Sequence, residues 1–338
     1  MKELEQLMFR LCKAPGISGG ERLAAKVVAA ELSDIAKVKI DRMGSLTAEF
    51  GNPKAKEHVL LDAHLDQIGL VVTGIDENGF LKVGRCGGMD ARVLPGSAVT
   101  VYGKETLCGV VCCTPPHLQE GGEDQVPPVD KMSVDIGLPH DEVEKVVFPG
   151  DRILFHTQPK RLLGTRVSAA GLDDRAGVAA FIRCAQILSG EKLSCRVTIL
   201  CSVQEEVGGA GAKTGAFSAE PTQAIATDVS FASQPGVRPV NIGKLGGGPM
   251  IGIAPVLNRK MTDRLIALAK EKKLPFTREV MGGDTGTNSD DIATSRGGVM
   301  TGLVSIPLRY MHTPAEVIDL KDVENTAQLI AAYLREVG

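Results

Sequence analysis

Beyond Gly164 this sequence alternates helical patterns with short apolar runs, and no other feature limits its fold as much. Asp174 to Leu188, Met261 to Lys272 and Asp322 to Glu336 carry apolar residues at helical spacing. Arg196 to Val203, Ala224 to Thr227 and Val299 to Leu308 are too short for helices and read as buried strands. The alternation predicts an α/β fold, a mixed sheet flanked by helices. The amino-terminal part adds two helical patterns within Lys2 to Asp34, broken at Ala14-Pro15-Gly16-Ile17-Ser18-Gly19-Gly20, and strands at Val38 to Ile40 and His58 to Asp62. Ser18 and Glu21 fit a capping box for the second helix, with Leu23, Val27, Val28 and Leu32 on its apolar side.

From about Gly69 to Leu163 the texture changes to β-branched runs punctuated by Asp76-Glu77-Asn78-Gly79, Leu94-Pro95-Gly96 and Phe148-Pro149-Gly150. Such turns predict a small all-β unit. The expected organisation is therefore an α/β domain built from residues 1–68 and 164–338, with a β domain of residues 69–163 inserted into it.

Composition narrows the function. A formal net charge of −3 gives no reason to expect a nucleic-acid partner, which needs a concentrated basic face. Aromatic residues make up 4 % of the chain and Trp is absent, which leaves few platforms for stacking bases or sugars. No run approaches the roughly 18 apolar residues of a membrane span. Lys2, Glu3, Glu5, Arg10 and Lys13 interrupt the first segment where a signal peptide would be apolar. A soluble, cytoplasmic protein is expected. The eight cysteines contain no CxxC pair and are expected to be reduced, several of them buried.

The chemistry gathers where strand-like runs stop. Val59 to Ala63 runs into His64 and Asp66, Val197 to Val203 into Glu205 and Glu206, and Ala224 to Thr227 into Asp228. Val304 to Leu308 leads to His312, and Gly171-Leu172 to Asp173 at the start of a helix. The carboxyl ends of strands in open α/β sheets line the ligand crevice, so these five elements can bring their groups together. Taken singly, each residue has a structural reading: His64 and His312 as hydrogen-bonding side chains, Asp173 as an N-cap, Asp228 as a turn former. Taken jointly, two imidazoles and three carboxylates suit Zn²⁺ or another divalent first-row ion, and five ligands exceed what one tetrahedral site needs. Two ions sharing one carboxylate would use them all, polarising a carbonyl and acidifying a bridging water, with Glu205 free to take the proton.

At these residues the sequence resembles the M42 family of metallo-aminopeptidases, which includes glutamyl and tetrahedral aminopeptidases. The resemblance is carried by Ala14-Pro15-Gly16-Ile17-Ser18-Gly19, Ala63-His64-Leu65-Asp66, Leu172-Asp173-Asp174-Arg175-Ala176-Gly177, Val203-Gln204-Glu205-Glu206-Val207-Gly208 and Arg309-Tyr310-Met311-His312-Thr313-Pro314. It implies a zinc-peptidase catalytic domain that removes amino-terminal residues from short peptides. His64 and Asp228 would hold one metal, Glu206 and His312 the other, and Asp173 would bridge them. The ions would be zinc or cobalt, with manganese as the alternative. Glu205 would be the general base, activating the bridging water, and Asp66 would accept a hydrogen bond from His64. A cis peptide is implied at Asp173-Asp174. The inserted unit resembles the family's PDZ-like dimerisation domain, from Gly109-Val110-Val111 to Pro116-His117-Leu118 and at Val134-Asp135-Ile136-Gly137, implying dimers that build a dodecamer. Gln67 and Asn288 depart from the family pattern, where acidic residues are usual, and leave the substrate preference open.

Two rival readings are a glycosidase using Glu205 and Glu206, and a peptide-binding scaffold without activity. Consecutive carboxylates rarely flank a sugar bond, and the ligand set is complete, which disfavours both. Gly211-Ala212-Lys213-Thr214 lacks a phosphate-loop glycine, Gly246-Gly247-Gly248-Pro249 reads as a turn, and Cys112, Cys113 and His117 lack a second half for a zinc site.

Overall fold

The computed structural model describes residues 1–115, 118, 126–237 and 242–338; Pro116 and His117 lie outside the described residues. Eight strands form one mixed sheet in the order Lys37–Ile40, Leu46–Gly51, Arg196–Ser202, His58–His64, Gln223–Phe231, Met300–Leu308, Met250–Ile253 and Thr277–Val280. From Arg196–Ser202 to Met300–Leu308 the four central strands run parallel, so all of them end at one edge of the sheet.

The His58–His64 strand is buried along its whole length because helices cover both faces of the sheet. Val59, Leu61 and Ala63 join the larger core, packed with the helices Leu172–Leu188, Arg259–Glu271 and Leu320–Leu334. Leu60, pointing the other way, meets Ala212 and Ala216 of the helix Ala210–Ala219 and Ile292 of the short helix Asn288–Ala293.

Six further strands, Gly69–Ile75, Leu81–Cys86, Ser133–Asp135, Thr106–Val111, Ala98–Tyr102 and Arg152–Phe155, close into a barrel around Leu70, Val72, Leu81, Val99, Val134 and Ile153. Closure leaves it without free sheet edges. The region is not purely β, because the helix His140–Val146 inserts Val143 into this second core. A small sheet of Lys160–Arg161, Arg166–Ala169 and Glu316–Asp319 lies where the chain returns from the barrel.

Local differences from the sequence reading have physical causes. The second helix spans Arg22–Leu32 and buries Ala24, Ala25, Val28 and Leu32, while Leu23 is exposed. The expected capping box does not form: the Ser18 hydroxyl donates to Asp66, and Glu21 accepts from the Gly19 and Gln204 amides. All eight cysteines are free, but Cys108 and Cys113 are exposed, and only Cys184, Cys195 and Cys201 are fully buried. Gly211 to Thr214 lies in a helix, and the Gly246 and Gly248 amides both donate to Asp322 in a turn. Among the described residues no helix is long and apolar enough to cross a membrane.

One buried cation organises the region behind the sheet edge. The Arg175 guanidinium is fully enclosed and donates to the carbonyls of Leu65 (2.8 Å), Leu11 (2.6 Å) and Ala14 (3.1 Å). It thereby fixes the turn after His64 against the first helix and the loop that follows it. Replacing it with a side chain of similar volume, Arg175→Met, strands the Leu65 and Ala14 carbonyls and leaves the Leu11 carbonyl with the Ala14 amide alone. We expect a loss of at least about 2 kcal/mol of stability in urea unfolding; an unchanged midpoint contradicts this role.

Candidate metal centre

The functional side chains arrive from five elements at the carboxyl edge of the parallel strands. His64 closes its strand, Glu205 and Glu206 follow Arg196–Ser202, Asp228 lies near the end of Gln223–Phe231, and His312 follows Met300–Leu308. Asp173 sits at the start of Leu172–Leu188, where the first turn is non-helical and the Asp173–Asp174 peptide is cis.

Asp173 stands between the two imidazoles. Its Oδ1 lies 3.0 Å from His64 Nε2 and its Oδ2 lies 3.3 Å from His312 Nε2. Asp228 Oδ1 is 3.8 Å from His64 Nε2, and Glu206 Oε1 is 3.4 Å from His312 Nε2. Donor atoms of His64, Asp173 and Asp228 all lie within 4.8 Å of one another, as do those of Asp173, Glu206 and His312. Glu205, half-buried, borders the same cleft.

The rings are oriented from behind. His64 Nδ1 pairs with the Asp66 carbonyl at 3.0 Å, closer than the Asp66 carboxylate at 3.5 Å, and His312 Nδ1 with the Gly88 carbonyl of the barrel region at 3.0 Å. The Asp66 carboxylate has other work. It accepts the Ser18 hydroxyl (2.6 Å) and the amides of Glu205 (3.0 Å) and Glu206 (3.2 Å), fastening the two acidic residues to the turn that carries His64.

Sequence reasoning missed Glu316. Fully buried, it accepts the amides of Leu172 (2.7 Å), Asp173 (3.3 Å) and His312 (3.1 Å), and so locks the Asp173 loop to the His312 loop. His312 has φ 62°, a left-handed backbone that side chains seldom adopt, and this amide bond helps to hold it there. A glutamate opening a short strand has no pattern that announces such a role. The departures Gln67 and Asn288 are both buried. Gln67 Oε1 has no hydrogen-bond partner among the described residues, and Asn288 donates to Asp62 and Ser202 behind the cleft wall.

A sequence model of the M42 glutamyl aminopeptidases matches residues 44–329. The chain belongs to the M42 family. It is 35 % identical to a lysyl aminopeptidase of Pyrococcus furiosus, over 98 % of this chain and 97 % of that one. It also superposes on an aminopeptidase of the archaeon Desulfurococcus kamchatkensis with a TM-score of 0.93 at 32 % identity, covering 99 % and 95 % of the two chains. A TET1 peptidase of Pyrococcus horikoshii, described as assembling into a tetrahedron or a large octahedral shell, gives 0.87 at 33 %, covering 99 % and 100 %.

The charge balance of this M42 site fits divalent cations. Four acidic groups, Asp173, Glu205, Glu206 and Asp228, line the cleft with the two imidazoles, and Asp66 is buried behind them; buried like charges are costly unless cations offset them. Burial, then the neighbouring carboxylates, push Glu205 up to about 7, against the lowering pull of His64. Burial likewise drives Asp228 well above its usual range, with His64 opposing and Asp173 adding to the rise. Hydrogen bonds to Asp173 and Glu206 raise His312 to about 11. Burial works against protonation of His64, but its bonds to Asp173 and Asp66 outweigh this and raise it well above its ordinary value. Without a cation, protons supply the missing positive charge. A metal-bound imidazole must give its proton up, so loading apoprotein at pH 7 should release protons, and affinity should rise with pH. Zinc titration in weak buffer with a pH indicator measures this; uptake without acidification contradicts it.

Proposed function

We propose that this M42 aminopeptidase uses two divalent ions, zinc or cobalt with manganese as the alternative, to remove amino-terminal residues from short peptides. The observation that carries the reading is the pair of donor groups, His64, Asp173 and Asp228 on one side and Asp173, Glu206 and His312 on the other, joined through one shared carboxylate. His64 and Asp228 would hold one ion and Glu206 and His312 the other, with Asp173 shared between them. Such a pair polarises the scissile carbonyl and acidifies a water.

The chain's own contribution is placement and proton transfer. Burial pushes the Glu205 carboxyl up to about 7, towards the range in which a carboxylate can both accept and return a proton. It takes a proton from the water that attacks the carbonyl carbon and delivers it to the amine that leaves when the C–N bond breaks. Asp66 holds the Glu205 and Glu206 amides, and Glu316 the Asp173 and His312 amides, so the reacting groups keep their positions. The geometry disfavours a glycosidase: Glu205 and Glu206 are consecutive and their amides are tied to a single carboxylate, whereas glycosidase acids face each other across the sugar.

In this reading residues 1–68 and 164–338 form the catalytic domain, and residues 69–163 form a PDZ-like insert through which copies pair. A separate apolar core supports treating the insert as a unit, and the Gly88 carbonyl against His312 makes it a neighbour of the active site. By likeness to the Pyrococcus horikoshii peptidase, dimers would build a dodecamer in the cytoplasm, enclosing the sites and admitting short peptides only.

Glu205→Gln keeps the shape of the side chain and removes the base. The variant should bind as much metal as wild type while its kcat falls at least about 10²-fold, measured by metal analysis and leucine p-nitroanilide turnover. Wild-type turnover, or loss of metal, contradicts the assignment.

A further inference from the structure

The cleft that holds the donor groups extends over about 770 Å³ to a wall that includes Ser230, Glu279, Ser305, Leu303 and Met281. Glu279 belongs to the edge strand Thr277–Val280, whose alternation is the reverse of an ordinary one: Arg278 and Val280 face outward, and the glutamate is 7 % exposed. Burying a carboxylate is costly unless it is paired. Among the described residues Glu279 has hydroxyls as partners instead of a cation. Ser230 donates to one carboxylate oxygen, and Ser305 donates to the other at 2.8 Å. Burial raises its pKa, the two hydroxyls pull the other way, and no charged side chain of the described residues offsets the burial.

The surrounding backbone is arranged for this reach. Gly252 on the intervening strand is the register partner of Glu279, and a Cβ there would come within 2.9 Å of Leu303 Cβ. The glutamate therefore has no side chain opposite it on the strand that separates it from the strand of Ser305. Ser230 lies two residues beyond Asp228 on one strand, so both side chains point to the same face, roughly 6.6 Å apart along the strand. A four-carbon stem spans such a gap, with Leu303 and Met281 beside its methylenes.

We propose that Glu279, held by Ser230 and Ser305, receives the cationic side chain of an amino-terminal lysine or arginine, so that this enzyme prefers basic residues. The inference rests on the aminopeptidase reading and adds the substrate class. An ammonium or guanidinium supplies a countercharge that no described residue gives the buried carboxylate. An acidic substrate side chain would place a second carboxylate against Glu279, and an apolar one would desolvate Glu279 further while leaving it only its two hydroxyl partners.

Lysine and norleucine share a four-carbon side-chain stem and differ in the terminal ammonium that lysine adds, which makes their p-nitroanilides a direct test on metal-loaded enzyme. The expected kcat/KM for lysine exceeds that for norleucine at least about tenfold, with the glutamate substrate poorest. In Glu279→Gln the lysine-to-norleucine ratio should collapse to about one. A wild-type ratio of one or less overturns the inference without reference to any variant, and so does a Glu279→Gln variant that retains the wild-type ratio. Calorimetric binding of L-lysinamide against L-norleucinamide separates this inference from the reading beneath it. If neither anilide is cleaved, the peptidase reading fails, while tighter binding of lysinamide, lost in Glu279→Gln, still supports the pocket and equal binding overturns it.

Discussion

The Asp173 carboxylate faces an imidazole with each of its oxygens, His64 at 3.0 Å and His312 at 3.3 Å, and the rest of the molecule serves to keep it there. A carboxylate enclosed among further acidic groups is unfavourable in isolation. In the proposed reading it would become an asset, because bound cations would offset its charge. The four parallel strands bring most of the partners to one edge, but a sheet edge alone positions groups only to within a turn or two of loop. Tighter definition comes from buried acceptors that gather backbone amides.

Asp66 and Glu316 do this from opposite sides. Asp66 ties the loop after Arg196–Ser202 to the turn after His58–His64, and Glu316 ties the start of the Asp173 helix to the His312 loop. Arg175 anchors the turn containing Leu65 from beneath, and the Gly88 carbonyl steadies His312 from the barrel side. Each contact is a hydrogen bond from or to the main chain, so the side chains that face the cleft inherit their positions from fixed backbone. The barrel region is therefore part of what shapes the site, in addition to any part it takes in assembly.

Much of this was legible in the sequence because buried parallel strands are apolar throughout, and an ionisable residue at the end of each stands out. His58–His64 and Arg196–Ser202 show it plainly, as does the long helix after Asp173. What escaped detection follows a different logic. The helix Ala210–Ala219 is built of small residues packed closely against Leu200 and shows no amphipathic stripe. Thr277–Val280 buries its glutamate and exposes its valine, the inverse of the pattern that identifies a strand. Glu316 acts through main-chain amides distant in sequence, which leave no local trace. Ser18 looked like a helix cap but gives its hydroxyl to Asp66. In each case a tertiary contact overrode the local preference, and three of the four contacts border the catalytic cleft or support it.

The central claim, that one shared carboxylate organises two cations, is tested most directly by anomalous diffraction from zinc-loaded crystals. The account predicts two peaks flanking Asp173, one within reach of His64 and Asp228 and the other within reach of Glu206 and His312. A single peak, or two peaks that leave Asp173 uncoordinated, would contradict it.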